Sequence, residues 1–247
     1  MLFSKIFNIN VIGLQNICIF FTSLKIYNIH KFLKVSVSKT LLIIMVKWPR
    51  FGSCKTRLSK DIGKKNALKI QNKMLSHTLS VSKNVKERKI AEVRMAITGM
   101  GFNSSRRWCK DLGINNFCFQ GKGCLGEKMK RQIYKSQRIL RTYEKKNIIF
   151  IGTDLPNLCH LDIVKTISKL ENKDVVIGPS NDGGYWLIAF SQRFISNNNY
   201  LPFINIKWSS NVVLKRTIDN LNQQEINIDF LNTKIDIDTI HDIDKRG

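Results

Sequence analysis

Between Lys47 and Leu58 the chain reads KWPRFGSCKTRL, with the cations Lys47, Arg50, Lys55 and Arg57 gathered around one Pro and one Gly. Such a loop suits an anion carrying several charges. Gly52 lets the backbone approach a ligand closely, Pro49 stiffens the turn, and the Thr56 hydroxyl adds a hydrogen-bonding group, a composition matched to a diphosphate or triphosphate. The stretch is not a P-loop: G-x-x-x-x-G-K-[ST] needs Gly directly before the Lys, where this chain has Cys54, and a further Gly at its start. The competing reading is a solvated basic loop, an ordinary feature of so charged a chain, so the loop must be weighed with its neighbours.

Those neighbours are set by the elements around them. TLLIIMV, directly before the loop, is a buried-strand run; residues 66–83 keep helical spacing through Ala67, Ile70, Met74, Leu75 and Leu79; AEVRMAIT alternates through Ala91, Val93, Met95 and Ile97. A short helix over about 104–112, the strand NFCFQ, a loop with three glycines and a helix over about 126–143 come next. The strand NIIFIGTD, a helix over about 160–170, the strands DVVIGP and GYWLIAF, a helix after Ser209 and a closing extended run KIDID complete the chain. Strands alternating with helices imply an α/β fold with a mostly parallel sheet covered on both faces, and right-handed crossovers place the strand carboxyl ends along one edge. Ligands bind at that edge. The basic loop, the glycine loop, Asp154 and Asp182-Gly183-Gly184 all follow strands and therefore converge there.

Composition bounds the partners. At 247 residues, 43% hydrophobic and 24% charged, the chain can bury a core without metal or disulfides. The net charge of +23, from 41 Lys and Arg against 18 Asp and Glu, favours polyanionic partners. Lys and Asn recur throughout, however, no RNA-recognition, zinc-finger or helix-turn-helix signature accompanies them, and aromatics are not interleaved with basic runs, which disfavours nucleic acid as the main ligand. The six cysteines form no C-x-x-C pair and no His-x-x-x-His partners them, so reduced thiols in the cytoplasm are expected rather than a zinc site or disulfide framework. In residues 1–39, VIGLQNICIFFTSL is shorter than the roughly 20 residues of a spanning helix and Lys25 follows it at once. The segment reads as an N-terminal extension or a misassigned start before a domain over 40–247, with no stable membrane span. Oligomeric state is not legible.

KWPRFGSCKTRL, QGKGCLGEKM, IGTDLP, GPSNDGGYWLIAF, IKWSSNVVL and IDIDTIHDID, in this order, resemble the motifs of a bacterial family of predicted transferases, the DUF2064 family. That family is also labelled selenodomain-associated transferase 1 or arsenosugar-pathway glycosyltransferase. The resemblance covers about residues 40–245. It implies a Rossmann-like GT-A (nucleotide-diphospho-sugar transferase) fold, with a more distant similarity to 2-phospholactate guanylyltransferase through KTRL and TDLP.

With the resemblance in place, each motif has a candidate task. Lys47, Arg50, Gly52, Lys55, Thr56 and Arg57 would bind the donor phosphates, with Lys55 and Arg57 also stabilising charge on the departing nucleotide or pyrophosphate. Gln120 offers an amide edge for a base, while Gly121, Gly123 and Gly126 allow a tight turn into a helix whose amino end favours negative charge. Glycines alone would equally suit a plain strand-to-helix connection, and family members carry an acidic residue where this chain has Cys124. Asp154 could ligate Mg²⁺ or Mn²⁺; its alternative is a helix N-cap. Asp182, with Gly183 and Gly184, could bind a sugar hydroxyl, join the metal or serve the acceptor as base, or could mark an Asp-Gly hairpin turn. The tail resembles a D-x-D-T-P-E-D-L ending, with Asp236 and Asp238 on one face of a strand as further metal ligands, although Ile240 and His241 replace Pro and Glu. Trp208 and Ser209 match the family's WS, placing Trp208 in an acceptor pocket or in packing beside a helix start. The resulting expectation is a metal-dependent glycosyltransferase using a nucleotide-sugar donor and a small-molecule acceptor. A nucleotidyltransferase joining a nucleoside triphosphate to a phosphorylated small molecule, and a non-catalytic basic protein binding nucleic acid, are the alternatives.

Overall fold

The structure, a computed structural model, describes residues 40–139, 147–197 and 202–244. The expected extension, residues 1–39, and the expected helical residues 140–143 lie outside the described residues. Strand β1 (Thr40–Lys47) pairs in parallel with β2 (Glu92–Thr98) on one side and β4 (Asn147–Ile151) on the other. It is apolar at almost every position because both its faces are covered. Leu42, Ile44 and Val46 pack into one core cluster with Leu75, Leu79, Cys109, Ile163 and Ile167. These come from helices α1 (Leu58–Glu87), α2 (Phe102–Asp111) and α4 (His160–Leu170). Leu41 and Ile43 face a second cluster containing Met129, Ile133, Phe194 and Leu221, supplied by α3 (Leu125–Ile139), α5 (Gln192–Asn197) and α6 (Val213–Asn222).

With β3 (Phe117–Phe119), β5 (Val175–Pro179), β6 (Tyr185–Phe190) and β7 (Ile228–Phe230), the sheet order is β3-β2-β1-β4-β6-β5-β7. From β1 the chain proceeds to β2 and β3 on one side and then returns to β4 on the other, so the β1–β4 junction is the topological switch point at which such sheets bind ligands. The sheet is mostly parallel, as expected, with one exception: β6 pairs antiparallel with both β4 and β5. Being reversed, β6 begins rather than ends at the carboxyl edge, and the hairpin joining it to β5 lies there too.

Several boundaries differ from the sequence expectation. Helix α1 starts at Leu58 and bends at Gly63, whose φ is 79°. Strand β7 replaces the expected strand KIDID; the tail from 231 to 239 is irregular apart from a bridge between Ser180 and Lys234. Short α5 and α7 (Ile240–Asp244) are too brief to show a period. Among the described residues no helix is long and apolar enough to cross a membrane.

Candidate functional site

At the switch point the sheet edge opens into a cleft of about 840 Å³. The loop after β1 brings Lys47, Lys55, Thr56 and Arg57 to it, the loop after β4 brings Asp154, the β5–β6 hairpin brings Asp182 and Gly184, the segment before α6 brings Trp208, and the tail brings Asp236 and Asp238. These ten of the expected site residues, drawn from distant parts of the chain, line one cavity.

Lys55 is its pivot. The residue sits in the left-handed region, φ +49°, a conformation costly for a side-chain-bearing residue and often found at functional sites. It is only 8% exposed, and its ammonium lies 3.1 Å from Asp154 Oδ2 and 3.7 Å from Asp238 Oδ1. A buried ammonium persists only when paired, and here two carboxylates share it. Arg57 Nη1 donates to Asp238 Oδ2 at 3.2 Å. Lys47 Nζ donates to the Ser53 carbonyl at 3.0 Å, tying the loop to the end of β1.

The other oxygen of Asp154 accepts a hydrogen bond from Gln71 Nε2 at 3.2 Å. Gln71 was not anticipated. Its signal is visible in retrospect: it is a polar residue between Ala67 and Met74 on the stripe that buries α1, and it is itself buried. Asp154 does not cap α4: that helix begins at His160, where Asp162 accepts the Cys159 N–H at 2.8 Å.

Asp182 lies in a hairpin turn, as one reading expected, and also lines the cleft. Its Oδ1 accepts from the Ser180 hydroxyl and from the Gly184 N–H at 2.8 Å. Asp236 has its carboxyl pushed up to about 6 by burial and by the nearby charges of Asp182 and Asp154, against the opposing pull of its own backbone N–H and Lys55. Ser180, Ser210, Asn211, Leu125 and Met129 also line the cavity; all five lie within the motifs quoted above, but none was singled out as a site residue.

Other expected residues lie outside the lining. Arg50 contributes its carbonyl to the Ser53 N–H at 3.1 Å, and Gly52, φ +72°, turns the loop. Gln120 is 4% exposed, and its amide donates to the carbonyls of Val46 at 3.1 Å and Ala96 at 2.8 Å. The expected base-reading edge is thus engaged in joining β1 to β2. The loop after it closes on its own side chains. A Cβ on Gly121 would lie 2.6 Å from the Arg131 guanidinium, which donates to the Gln120 and Lys122 carbonyls. Glu127 accepts the Cys124 N–H at 2.8 Å, and that bond holds its carboxyl below the usual range; a Cβ on Gly123 would fall on this carboxylate. A Cβ on Gly126 would meet Trp208 at 2.7 Å, and one on Gly183 would meet the Asn211 carbonyl at 2.1 Å. These two glycines allow close packing around the cleft rather than lining it.

For a divalent cation, the donor set is a pair rather than a cage. Among the described residues no three His, Cys, Asp or Glu side chains converge to hold an ion. Mg²⁺ characteristically takes one or two carboxylates and completes its shell with substrate phosphates and water, and Asp154 and Asp238, already close enough to share one ammonium, fit that manner of binding.

The family model described as "Uncharacterized protein conserved in bacteria (DUF2064)" matches residues 80–210, a span that includes Asp154, Asp182 and Trp208. A candidate nucleotide-diphospho-sugar transferase from Desulfovibrio desulfuricans G20 aligns over 83% of this chain and 85% of its own, at 24% identity and a TM-score of 0.71, which identifies the fold as the Rossmann-like GT-A type. Weaker likenesses, both with a TM-score of 0.49, extend to two further proteins. One is 4-diphosphocytidyl-2C-methyl-D-erythritol synthase from Anaerococcus prevotii DSM 20548, at 13% identity over 85% of this chain and 96% of that one. The other is glucosyl-3-phosphoglycerate synthase from Mycobacterium tuberculosis, in complex with Mn²⁺, uridine-diphosphate and glucosyl-3-phosphoglycerate, at 11% identity over 80% of this chain and 70% of that one. No curated protein matches.

Proposed function

The chain belongs to the DUF2064 family, and we propose that it is a glycosyltransferase that takes a sugar from a nucleotide-diphosphate donor. One observation carries this reading: a buried ammonium, Lys55, held between Asp154 and Asp238 at the switch point of the sheet. Oppositely charged groups concentrated in one cleft suit a ligand that brings its own phosphates and counter-cation.

On this reading the donor diphosphate lies along the loop after β1. Lys55, Arg57 and Lys47 stabilise the charge that grows on the leaving diphosphate, and Thr56 offers a hydroxyl to the same group. Asp154 and Asp238, with Asp236 facing the same space, would hold Mg²⁺ or Mn²⁺, which would add Lewis-acid stabilisation of the departing phosphate oxygen. Gln71 fixes the orientation of Asp154. The acceptor hydroxyl oxygen forms a bond to the anomeric carbon as the bond from that carbon to the phosphate oxygen breaks. The nucleoside diphosphate leaves with the electron pair, and the hydroxyl proton passes to the Asp182 carboxylate, which the Ser180 hydroxyl and Gly184 N–H hold in place. The thiols of Cys54, Cys109, Cys118, Cys124 and Cys159 are free, as suits a reducing compartment.

The test is thermal stabilisation of the full chain by UDP- and GDP-sugars, free nucleotides and nucleoside triphosphates, with and without Mn²⁺. Metal-dependent stabilisation by a sugar nucleotide, lost in Asp154→Ala, is expected. Stabilisation by triphosphates alone would replace glycosyl with nucleotidyl transfer, and no response to any nucleotide would refute the reading.

A further inference from the structure

The cleft is electrically divided. Every cation among its lining residues, Lys47, Lys55 and Arg57, comes from the end of β1 or the loop that follows it. Another part of the lining, a wall from the start of α3 and the segment leading into α6, comprises Leu125, Met129, Trp208, Ser209, Asn211 and Val213 and includes neither Lys nor Arg, the exposed Lys207 of that segment lying outside the lining. The charged lining residues tied to that wall are carboxylates, Asp182 and Asp236. Gly183 packs against the Asn211 carbonyl, which joins the hairpin carrying Asp182 to this segment, and Asp236 is close enough to feel the Asp182 charge.

The wall also presents a fixed aromatic surface. The Trp208 ring is wedged against Gly126, where a Cβ would approach it to 2.7 Å, and lies 6.2 Å from the Phe203 ring between centroids. Ser209 beside it has φ +62°, a left-handed conformation that a loop retains only when its surroundings enforce it. Leu125, 40% exposed, adds to the apolar part of the lining.

Resting on the glycosyltransferase reading, we infer that the acceptor is an uncharged polyhydroxylated compound, a sugar or similar polyol, bound with an apolar face on Trp208 and hydroxyls towards Ser209, Asn211 and Asp182. A phosphorylated acceptor would need cations on this wall and would instead meet Asp182 and Asp236, a like-charge arrangement that interfaces use to reject partners. A ring with one apolar face and hydroxyl edges matches an indole flanked by exposed polar side chains. The same division disfavours nucleotidyl transfer to a phosphorylated substrate, because the phosphate-binding groups all lie on the donor side.

The full chain is titrated calorimetrically with inorganic pyrophosphate and Mg²⁺, the probe of the donor side. The pyrophosphate-loaded protein is then titrated with phenyl β-D-glucopyranoside and with its 6-phosphate. The neutral glucoside should bind at least about tenfold more tightly than the phosphate. Trp208→Leu should weaken the glucoside about fivefold or more while pyrophosphate affinity holds. Because Trp208 also packs against α3, Asn211→Lys is the second variant: a cation on the wall should bring the phosphate level with or above the neutral compound. Equal or tighter binding of the phosphate by the unmodified chain, or no binding of the neutral glucoside, overturns the acceptor assignment and leaves the donor side standing. Failure of pyrophosphate to bind overturns both.

Discussion

Two loops of this chain look alike in sequence and differ in where their side chains go. Each leaves a parallel strand, contains glycine and cations, and leads into a helix: KWPRFGSCKTRL after β1 and QGKGCLGEKM after β3. In the first, a left-handed Lys55 turns its ammonium into the cleft to meet Asp154 and Asp238. In the second, Arg131, Glu127 and the Gln120 amide engage the loop's own backbone and the strand ends. Glycine in a strand-to-helix loop therefore reports the path of the backbone. A ligand loop is distinguished by where its charged groups are aimed and by which residues, remote in sequence, receive them.

The largest expected effect comes from removing the pivot of the first loop. Lys55→Ala should lower kcat/KM about 10²–10³-fold, in line with loss of a group that stabilises charge in the transition state, once the donor is identified. A loss below tenfold would make the first loop resemble the second and undo the contrast. Gln120→Leu probes the other side: it leaves the buried carbonyls of Val46 and Ala96 without their donor, which should cost about 2 kcal/mol in chemical unfolding. Pyrophosphate affinity should stay within about twofold, and a larger change would return Gln120 to the binding machinery. The smallest effect concerns Asp236. With its folded-state carboxyl near 6 rather than the ordinary 3.8, Asp236 costs nothing below about pH 3, where it is protonated folded or unfolded. As pH rises from about 4 to about 6 the unfolded chain releases this proton while burial and Asp182 keep it on the folded chain, so stability falls across that window and levels off above it. The full rise would correspond to about 3 kcal/mol, and partial exposure reduces the expectation to about 1 kcal/mol. Asp236→Asn should therefore raise stability by that amount at pH 7–8 and leave it unchanged near pH 3. A gain that persists at low pH would place the effect in packing rather than in charge.

What could be read from sequence follows physical range. β1 was legible because burial on both faces leaves an uninterrupted apolar run, and α4 because its apolar period is regular from His160 to Leu170. The direction of β6 was not legible, since an apolar strand reads the same either way; only its pairing with β4 and β5 sets it. The partners of Asp154 were not legible, because Gln71 and Lys55 are distant in sequence and converge on it only in the folded chain. The tail aspartates reach the cleft without the strand alternation expected of them, because Lys234 forms a single bridge to Ser180 and the chain then runs free of the sheet. Gly126 and Gly183 were visible as glycines, yet their use depends on Trp208 and Asn211, which only the folded chain brings near.

The reversal of β6 has a practical side. A hairpin between neighbouring antiparallel strands can be lengthened or exchanged without rethreading a crossover, so the β5–β6 turn is a natural place to splice in foreign sequence. Gly183 restricts that freedom, because it meets the Asn211 backbone with no room for a side chain. The turn and the segment before α6 are therefore a single graftable cassette: transplanted together they should carry acceptor preference into a related scaffold, and transplanted singly they should clash.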